Sequence, residues 1–354
     1  MTSIKNQKEK TMNPYKQYDS GDMFNVLKNY YKQVESIVEK KLEIDKTKFS
    51  RIEKIIVTGL GGSAISGDVA FTLFQDQLSI PFVVNRNYNL PKFADEKTLV
   101  IACSYSGNTE ETLSSFDEAL AKKCEVVTIS SGGKLKEKAL ANNLLHLEVE
   151  GGYQPRCAIG LMLTTLIKFL EVSGFIFFEN GFYENVIKLL KETSESYSAE
   201  NGSPYEFATK LIGKFPVIHS TELLQSVNVR FRSQLAENSK VLSYSGIIPE
   251  LNHNEIIAWE KFDEKFFPAI LIQMIDENDH PRNKLRFDIT KEILSEIKVE
   301  ILRLQSDQPK FYLRVFDLIY FVDWVSFFLA VLRKVDPTPI KNINALKDAL
   351  SKIN

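Results

Sequence analysis

Short runs of apolar, mostly β-branched residues alternate along the chain with longer stretches in which apolar residues recur at helical spacing. In the first helical stretch, residues 18–45, Met23, Leu27, Tyr30 and Val34 line one face and polar side chains line the other. The runs typical of strands cover residues 51–59, 80–91, 98–103, 124–133, 144–150, 215–220, 265–275 and 298–305. Most of these runs lead through a loop into a helical stretch, so the alternation predicts parallel sheets with helices on both faces.

The pattern of strands and helices starts again in the second half of the chain, after a polar connection. A chain of 354 residues is also longer than one hydrophobic core ordinarily supports. We therefore expect a first α/β domain with its leading helix at 19–175, a connecting helix and linker at 176–204, and a second α/β domain at 205–354. The polar residues 1–18 are expected to be a flexible N-terminus.

The segment 315–332 is apolar enough to raise the question of a membrane span. Asp317 and Asp323 interrupt it, and carboxylates are costly in lipid. The segment is therefore expected to be a helix buried in the core or in a subunit interface, and no membrane partner is predicted.

Composition narrows the classes of function. Hydrophobic residues make up 44% of the chain and charged residues 25%, with a formal net charge of −2, which argues against a nucleic-acid binder and against a protein held to membranes by charge. The cysteines, Cys103, Cys124 and Cys157, are odd in number and form no C-x-x-C motif, and the N-terminus lacks the apolar stretch of a signal peptide. These features predict a reduced, cytoplasmic protein without disulfide bonds.

Two loops rich in glycine and hydroxyl side chains come directly after predicted strands. The first, "GLGGSAISGD", offers Gly62 and Ser63, and the second, "SYSGNTEET", offers Ser104, Ser106 and Thr109. In open α/β sheets, ligands bind at the carboxyl ends of strands, where free N–H groups at the start of a helix favour an anion. Turn and helix-capping chemistry explains either loop alone, but both loops on one sheet favour a bound anion.

The kind of anion follows from what these loops lack. The first loop resembles G-x-G-x-x-G, with Gly59, Gly61 and Ala64 at that spacing, but the pattern alone is weak and the second loop is no part of a dinucleotide site. No G-x-x-x-x-G-K-[ST] occurs in the chain, which argues against a P-loop nucleoside triphosphatase. Several hydroxyl groups without a lysine suit a compact phosphate monoester held by hydrogen bonds.

Glu237 and His253 are candidates for proton transfer. Glu237 lies in a helical segment beside several basic residues, where an exposed charge is the ordinary explanation of a glutamate. His253 lies between two asparagines in a polar loop, and an imidazole there suits a proton shuttle. The sequence has no H-x-x-H, HExxH or Cys/His cluster, so neither a metal nor another cofactor is expected.

Several segments together resemble the bifunctional phosphoglucose/phosphomannose isomerases of the sugar isomerase (SIS) superfamily. In chain order they are "GLGGSAISGD", "SYSGNTEET", "PRCAIG", "RFRSQLAENSK", "PELNHNE" and "VDPTPIKNINALKDAL". "SYSGNTEET" is typical of the whole superfamily, whereas "PELNHNE" with the terminal "DPTP" is more specific to the family. The resemblance runs from about residue 20 to the C-terminus and so covers nearly the whole chain.

The resemblance implies a fold, an assembly and a reaction. The fold would be two SIS domains, each a flavodoxin-like parallel sheet flanked by helices. The assembly would be a homodimer whose active sites use residues from both subunits. The reaction would be the reversible, metal-independent conversion of glucose 6-phosphate, and of mannose 6-phosphate, into fructose 6-phosphate through a cis-enediol(ate).

The resemblance also implies roles for residues at matching positions. The phosphate-binding set would be Gly62, Ser63, Ser104, Ser106 and Thr109. Glu237 would move the proton between C1 and C2, His253 would assist ring opening, and Arg156 would stabilise the enediolate. Lys347 is the candidate for a ring-opening lysine, Lys341 competes for that role, and Thr338 would lie beside the substrate. Ala64 stands where some members have glycine, which could narrow the phosphate pocket.

Two other functions stay open at this level. One is a SIS isomerase for another sugar phosphate, such as an amino sugar or heptose phosphate. The other is a sensor that binds a sugar phosphate without turnover. Regulatory SIS proteins usually carry a DNA-binding or other partner domain, and the sequence has no basic helix-turn-helix segment at either end. Glu237 together with His253 favours catalysis.

Overall fold

The computed structural model describes residues 13–297 and 299–353. Of the predicted flexible N-terminus, residues 1–12 lie outside the described part. In the remainder of that segment, the ring of Tyr15 packs edge-on against Phe327 and Phe328. The described start of the chain is therefore attached to a helix near the other end of the sequence.

The first half of the chain forms a five-stranded parallel sheet. Its strands are β1 (Lys54–Thr58), β2 (Phe82–Asn85), β3 (Thr98–Cys103), β4 (Glu125–Ser130) and β5 (Leu145–Glu148). They are arranged in the order β2-β1-β3-β4-β5, which is the flavodoxin-like order. Every residue of β3 is buried, as expected for a central parallel strand covered by helices on both faces.

The second half forms a four-stranded parallel sheet with the same order of strands, but no fifth strand occurs among its described residues. Its strands are β6 (Phe215–Thr221), β7 (Tyr244–Ile248), β8 (Ala269–Met274) and β9 (Glu300–Leu304), in the order β7-β6-β8-β9. The predicted fold class, two flavodoxin-like parallel sheets flanked by helices, is confirmed. The predicted domain limits of 19–175, 176–204 and 205–354 stay predictions.

Helices connect the strands and cover both sheets. They are α1 (Met23–Lys28), α2 (Tyr30–Val38), α3 (Gly61–Phe74), α4 (Glu110–Ala121), α5 (Gly133–Ala141), α6 (Ile159–Val172), α7 (Phe182–Tyr197), α8 (Ser203–Lys210), α9 (Gln225–Glu237), α10 (Pro281–Ser295), α11 (Phe311–Leu332) and α12 (Lys341–Leu350). The two that follow β1 and β3, α3 and α4, start at the loops that the sequence predicts to bind phosphate.

The elements β7 and α10 are among those of the second half that the sequence-based prediction does not contain. β7 lies at the edge of its sheet and leaves Tyr244 42% exposed, so it lacks the continuous apolar run of an inner strand. α10 leaves Leu285 and Ile289 exposed while it buries Phe287 and Leu294, which obscures the amphipathic pattern.

The long apolar helix α11 is the core of the molecule. Among the described residues it is the one helix that is long and apolar enough to suit a membrane span, and 94% of its apolar window is buried inside the protein. Its two carboxylates, Asp317 and Asp323, have polar partners within the protein. Tyr197 donates a hydrogen bond to Asp317 at 2.7 Å, and Asp323 forms an ion pair with Arg230. Because one hydrophobic cluster contains α11 and residues of both sheets, the two halves share a core.

The strand β6 carries a buried histidine in the middle of the second sheet. His219 is 2% exposed, and its Nδ1 finds no hydrogen-bond partner in the described part of the chain. Burial lowers the pKa of His219 to about 4. The ring is therefore neutral at physiological pH.

Candidate active site

In the first sheet the strand order reverses between β1 and β3, where open α/β sheets bind their ligands. A Cβ at Gly59, directly after β1, would lie 2.7 Å from the carbonyl oxygen of Cys103 at the end of β3. The loops after these two strands can therefore approach each other only because residue 59 is glycine. The structure thus brings the two predicted phosphate loops to the same edge of the sheet.

Hydroxyl groups from both loops lie at this edge. Ser63, in the first turn of α3, accepts a hydrogen bond from the Tyr105 N–H at 3.1 Å. The Ser104 and Thr109 hydroxyls are 2.9 Å apart, and Ser106 is exposed at the surface of the loop. Because α3 and α4 both begin here, their free N–H groups also favour an anion. We call the set of residues at this edge the hydroxyl cradle: Gly62, Ser63, Ser104, Ser106 and Thr109.

The turn Pro155–Cys157, and not the methyl group of Ala64, packs against the hydroxyl cradle. Ala64 is fully buried within α3, so its methyl group does not line the exposed edge. A Cβ at Gly62 would lie 2.9 Å from the carbonyl oxygen of Pro155 and 3.4 Å from Cα of Arg156. The turn Pro155–Cys157 therefore packs directly against the cradle, and glycine at position 62 makes room for it.

Arg156 connects the cradle with the second half of the chain. It is only 3% exposed, and its Nε donates a hydrogen bond to Oδ1 of Asn238 at 2.6 Å. Its Nη2 donates to the carbonyl oxygens of Pro337 at 2.8 Å and Thr338 at 3.1 Å. Its Nη1 lies 3.5 Å from Oε2 of Glu237. The guanidinium is thus held by two segments that are distant from it in the sequence, 237–238 and 337–338.

Glu237 is the last residue of α9, and its side chain is 27% exposed. It lines a cleft of about 610 Å³ together with Lys240, Asp336, Ile340 and Lys341. The structure therefore brings a carboxylate and lysines to one cleft, and Arg156 links this cleft to the hydroxyl cradle through Glu237 and Gly62.

Two residues of this site, Asn238 and Lys240, were not among the predicted candidates. Lys240 donates hydrogen bonds to the carbonyl oxygens of Glu237 and Pro337, and burial together with the nearby Arg156 lowers its pKa. Both residues belong to the segment "AENSK", which the resemblance includes. Their partners are far away in the sequence, so only the fold could reveal the contacts.

The three C-terminal candidates have different environments. Lys341 begins α12 and lines the cleft. Thr338 offers its carbonyl oxygen to Arg156, whereas its hydroxyl is buried, close to Gly21, and unpaired within the described chain. Lys347 is exposed on α12, and its side chain makes no hydrogen bond or ion pair with any described residue. Of the two predicted lysines, Lys341 therefore lines the cleft of its own chain, beside Lys240, whereas Lys347 does not.

His253 is not brought to this cleft by its own chain. It is exposed at the end of the 3₁₀ segment Glu250–His253, which packs against β7. Within 13–297 and 299–353, no hydrogen bond or ion pair joins His253 to Glu237 or Arg156. The segment that follows exposes large apolar side chains, with Ile257 66% and Phe266 88% exposed.

The corresponding edge of the second sheet is filled by the protein's own side chains. After β8, Asp276 pairs with Arg314 of α11 at 2.7 Å. Asp279 accepts a hydrogen bond from the hydroxyl of Thr221 at the end of β6. Carboxylates at these positions make this edge of the second sheet unsuited to a phosphate. No group of three or more His, Cys, Asp or Glu side chains in the described residues is arranged to hold a metal ion.

Comparisons with known proteins identify the family of the chain. Residues 48–153 match the model of the SIS domain, and residues 200–350 match that of the bacterial phospho-glucose isomerase C-terminal SIS domain. The bifunctional phosphoglucose/phosphomannose isomerase of Caldicellulosiruptor bescii is 37% identical over 341 residues, which cover 94% of this chain and 99% of that protein. The chain belongs to the bifunctional phosphoglucose/phosphomannose isomerase family.

A second relative supports the family over nearly the full length of the chain, and a solved structure shows a similar fold. The bifunctional enzyme of Aquifex aeolicus is 36% identical, with 94% of this chain and 99% of that protein covered. A hypothetical protein from Thermus thermophilus has a similar fold, with a TM-score of 0.69 at 16% identity over 96% of this chain and 89% of that one. The resemblance inferred from the sequence motifs is therefore confirmed.

Proposed function

We propose that this protein interconverts glucose 6-phosphate, and mannose 6-phosphate, with fructose 6-phosphate. The observation that carries the proposal is the position of Arg156, which packs against the hydroxyl cradle at Gly62 and faces the Glu237 carboxylate. A sugar whose phosphate lies in the cradle can extend towards a base and a fixed cation. The family to which the chain belongs supports hexose 6-phosphates as the substrates.

Glu237 is the base in this proposal. Its carboxylate takes the proton from C2 of the aldose and returns it to C1, while the proton on O2 moves to O1, so the reaction leaves the number of protons unchanged. C2 becomes planar in the intermediate. Two aldoses that differ only in the configuration at C2 therefore give the same enediolate and the same ketose, so one site can serve both substrates when each epimer binds with its C2–H towards Glu237.

Arg156 stabilises the negative charge of the enediolate oxygen. Its guanidinium is held by hydrogen bonds before the substrate arrives, so little reorganisation is needed when charge develops. Preorganised donors of this kind contribute on the order of 10²–10³ to kcat. A lysine could not reproduce the fixed fork of donors.

The hydroxyl cradle binds the phosphate. Hydroxyl groups of Ser63, Ser104, Ser106 and Thr109 can rotate to donate hydrogen bonds to phosphate oxygens, and the N-termini of α3 and α4 add favourable dipoles. The backbone at Gly62 completes the cradle. Because Ala64 is buried, its methyl group does not narrow this site.

Ring opening is assigned to His253 of a second copy in a homodimer. His253 is exposed and not connected to the cleft of its own chain, and it is followed by exposed apolar residues, Ile257 and Phe266, that a second copy can cover. Lys341 is favoured as the lysine that contacts the ring because it lines the cleft. Lys347 is exposed on α12 and does not line the cleft of its own chain.

The decisive experiment is an assay of the purified protein with glucose 6-phosphate and mannose 6-phosphate supplied separately, in the presence of EDTA. The proposal expects fructose 6-phosphate from both sugars, since neither Glu237 nor Arg156 needs a metal for this chemistry. Formation of product from neither sugar would reject the proposal. Product from only one would restrict the function to that epimer.

A Glu237→Gln variant separates an isomerase from a sugar-phosphate sensor. It should bind glucose 6-phosphate in calorimetry with an affinity similar to that of the wild type, but it should not exchange the C2 proton with solvent deuterium. Wild-type protein that binds the sugar without any such exchange would instead support the sensor. Turnover of an amino sugar or heptose phosphate alone would support the other SIS isomerase.

The cysteines bear on location. Cys103, Cys124 and Cys157 are all free and buried, and burial raises the pKa of the Cys103 thiol to about 12. Such thiols are unreactive and fit a reducing compartment. A cytoplasmic location without nucleic-acid or membrane partners stays part of the proposal.

A further inference from the structure

We propose that Asn238 is a positioning residue that holds Arg156 in place, so that Glu237 stays free to act as the base. This inference rests on the proposed isomerase function. Asn238 directly follows Glu237 at the end of α9 and is fully buried. Consecutive residues therefore contact the same guanidinium, one through a neutral amide and one through a carboxylate.

The two contacts differ in length. The Arg156 Nε lies 2.6 Å from Oδ1 of Asn238, whereas Nη1 lies 3.5 Å from Oε2 of Glu237. The amide thus makes the strong hydrogen bond, and the carboxylate is near the guanidinium without a close ion pair. The orientation of Arg156 therefore depends on Asn238 more than on Glu237.

The orientation of the Asn238 amide is determined at both ends. A guanidinium Nε–H can only donate, so Oδ1 must face Arg156. The amide nitrogen then donates to Oγ of Ser326 at 2.9 Å, and that hydroxyl donates to the carbonyl oxygen of Asp323 at 2.7 Å. Arg156 is in this way anchored, through Asn238, to the most deeply buried helix of the protein, α11.

A neutral anchor suits the proposed chemistry. A carboxylate at position 238 would neutralise the positive charge that the enediolate needs. A close ion pair between Arg156 and Glu237 would engage the oxygen that must accept the proton. With Asn238 as the anchor, the guanidinium keeps its charge, and the Glu237 side chain remains 27% exposed towards the cleft.

Three variants separate these effects. Asn238→Leu removes the acceptor while it keeps the number and branching of the side-chain heavy atoms, and Asn238→Asp keeps the acceptor but adds a negative charge. The matched control is Ser239→Ala, because Ser239 donates a buried hydrogen bond to the carbonyl oxygen of Ser326 at 2.6 Å and does not contact Arg156. The control thus loosens the same junction with α11 without touching the guanidinium.

Asn238→Leu is expected to lower kcat roughly 10- to 100-fold, the equivalent of one charge-assisted hydrogen bond. The KM for glucose 6-phosphate should change less than about threefold, since the phosphate contacts are intact. A hydroxamate analogue of the enediolate should lose affinity in proportion to kcat. Asn238→Asp should show a similar loss of kcat and analogue affinity, and Ser239→Ala should change kcat less than about twofold.

A double-mutant cycle tests whether Asn238 acts through Arg156. In the Arg156→Lys background, Asn238→Leu should cause little further loss of kcat, because the contact between Nε of Arg156 and Asn238 is already gone. Fully additive losses in kcat, or equal losses in Asn238→Leu and Ser239→Ala, would overturn the inference while the isomerase function stands.

A readout without turnover distinguishes failure of the inference from failure of the function. The Arg156 Nε–H signal in ¹⁵N–¹H NMR, assigned by its loss in Arg156→Lys, should shift strongly in Asn238→Leu and stay in place in Ser239→Ala. An unchanged signal in Asn238→Leu would refute the anchoring. If the wild type is inactive on both sugars but the signal shifts in Asn238→Leu as expected, only the isomerase function is refuted.

Discussion

The buried imidazole of His219 makes the stability of the fold depend on pH. The ring is 2% exposed on β6, and burial lowers its pKa from 6.5 to about 4. In the unfolded chain the same ring returns to about 6.5. Because the unfolded state binds the proton more tightly, protonation favours unfolding. The contribution of the neutral His219 ring to the free energy of unfolding is therefore fully present above about pH 6.5 and is lost as the pH falls towards 4.

The size of the effect follows from the two pKa values. A difference of about 2.5 pKa units corresponds to about 3.4 kcal/mol, fully expressed only below pH 4. At pH 5, integration between the two states gives a loss of about 2 kcal/mol relative to pH 7. This is a large share of the free energy of unfolding of an ordinary domain.

The prediction is checked by urea unfolding of the wild type and His219→Gln at pH 7 and pH 5, at one protein concentration. Glutamine cannot titrate, so the variant should lose about 2 kcal/mol less than the wild type over this interval. His280→Gln, which removes an exposed ring, is the matched control for the loss of one histidine. The same loss in the wild type and His219→Gln would show that the buried ring does not cause the acid sensitivity.

Three further predictions concern the active site. Glu237→Gln and His253→Ala subunits, each inactive alone, should regain about one quarter of wild-type activity when equal amounts are refolded together, because about half of the dimers are then mixed and each mixed dimer has one intact shared site. No recovery would show that both residues belong to the site of one chain. Ser104→Ala should raise the KM for glucose 6-phosphate about tenfold with a smaller change in kcat, and steady-state kinetics showing the reverse would contradict phosphate binding. Gly62→Ala places a Cβ 2.9 Å from the carbonyl oxygen of Pro155, so both kcat/KM and Tm should fall. An unchanged kcat/KM would show that the hydroxyl cradle still functions when the turn Pro155–Cys157 is pushed away from it.

The sequence was sufficient for the architecture where hydrophobic periodicity was strong. The inner strands β1, β3, β4, β6 and β8 and the helix α11 all lie where the pattern predicts them. β7 was missed because its exposed Tyr244 and the polar Ser245 and Gly246 follow neither the apolar run of a buried strand nor a regular alternation. The edge of a sheet has one free side, and its residues are less constrained than those of an inner strand.

The candidate site was predictable only in its separate parts. Motifs identified the hydroxyl residues, Arg156 and Glu237, but no local pattern indicates that Asn238, 82 residues from Arg156, holds the guanidinium. Nor could the sequence show that Lys341 faces the cleft while Lys347 does not, since both lie in one amphipathic helix. Such contacts depend on how helices pack, which local periodicity does not encode.

The position of α11 has a consequence for synthesis of the chain. Phe24 packs against Trp324 with their ring centroids 5.4 Å apart, although 300 residues separate them. At roughly 5–20 residues per second, the ribosome needs roughly 15–60 s to make the intervening chain. Throughout that time the apolar surface that α11 later covers is open to water. The amino-terminal half, made alone, is therefore expected to aggregate or to remain bound to a chaperone until the carboxy-terminal helix arrives.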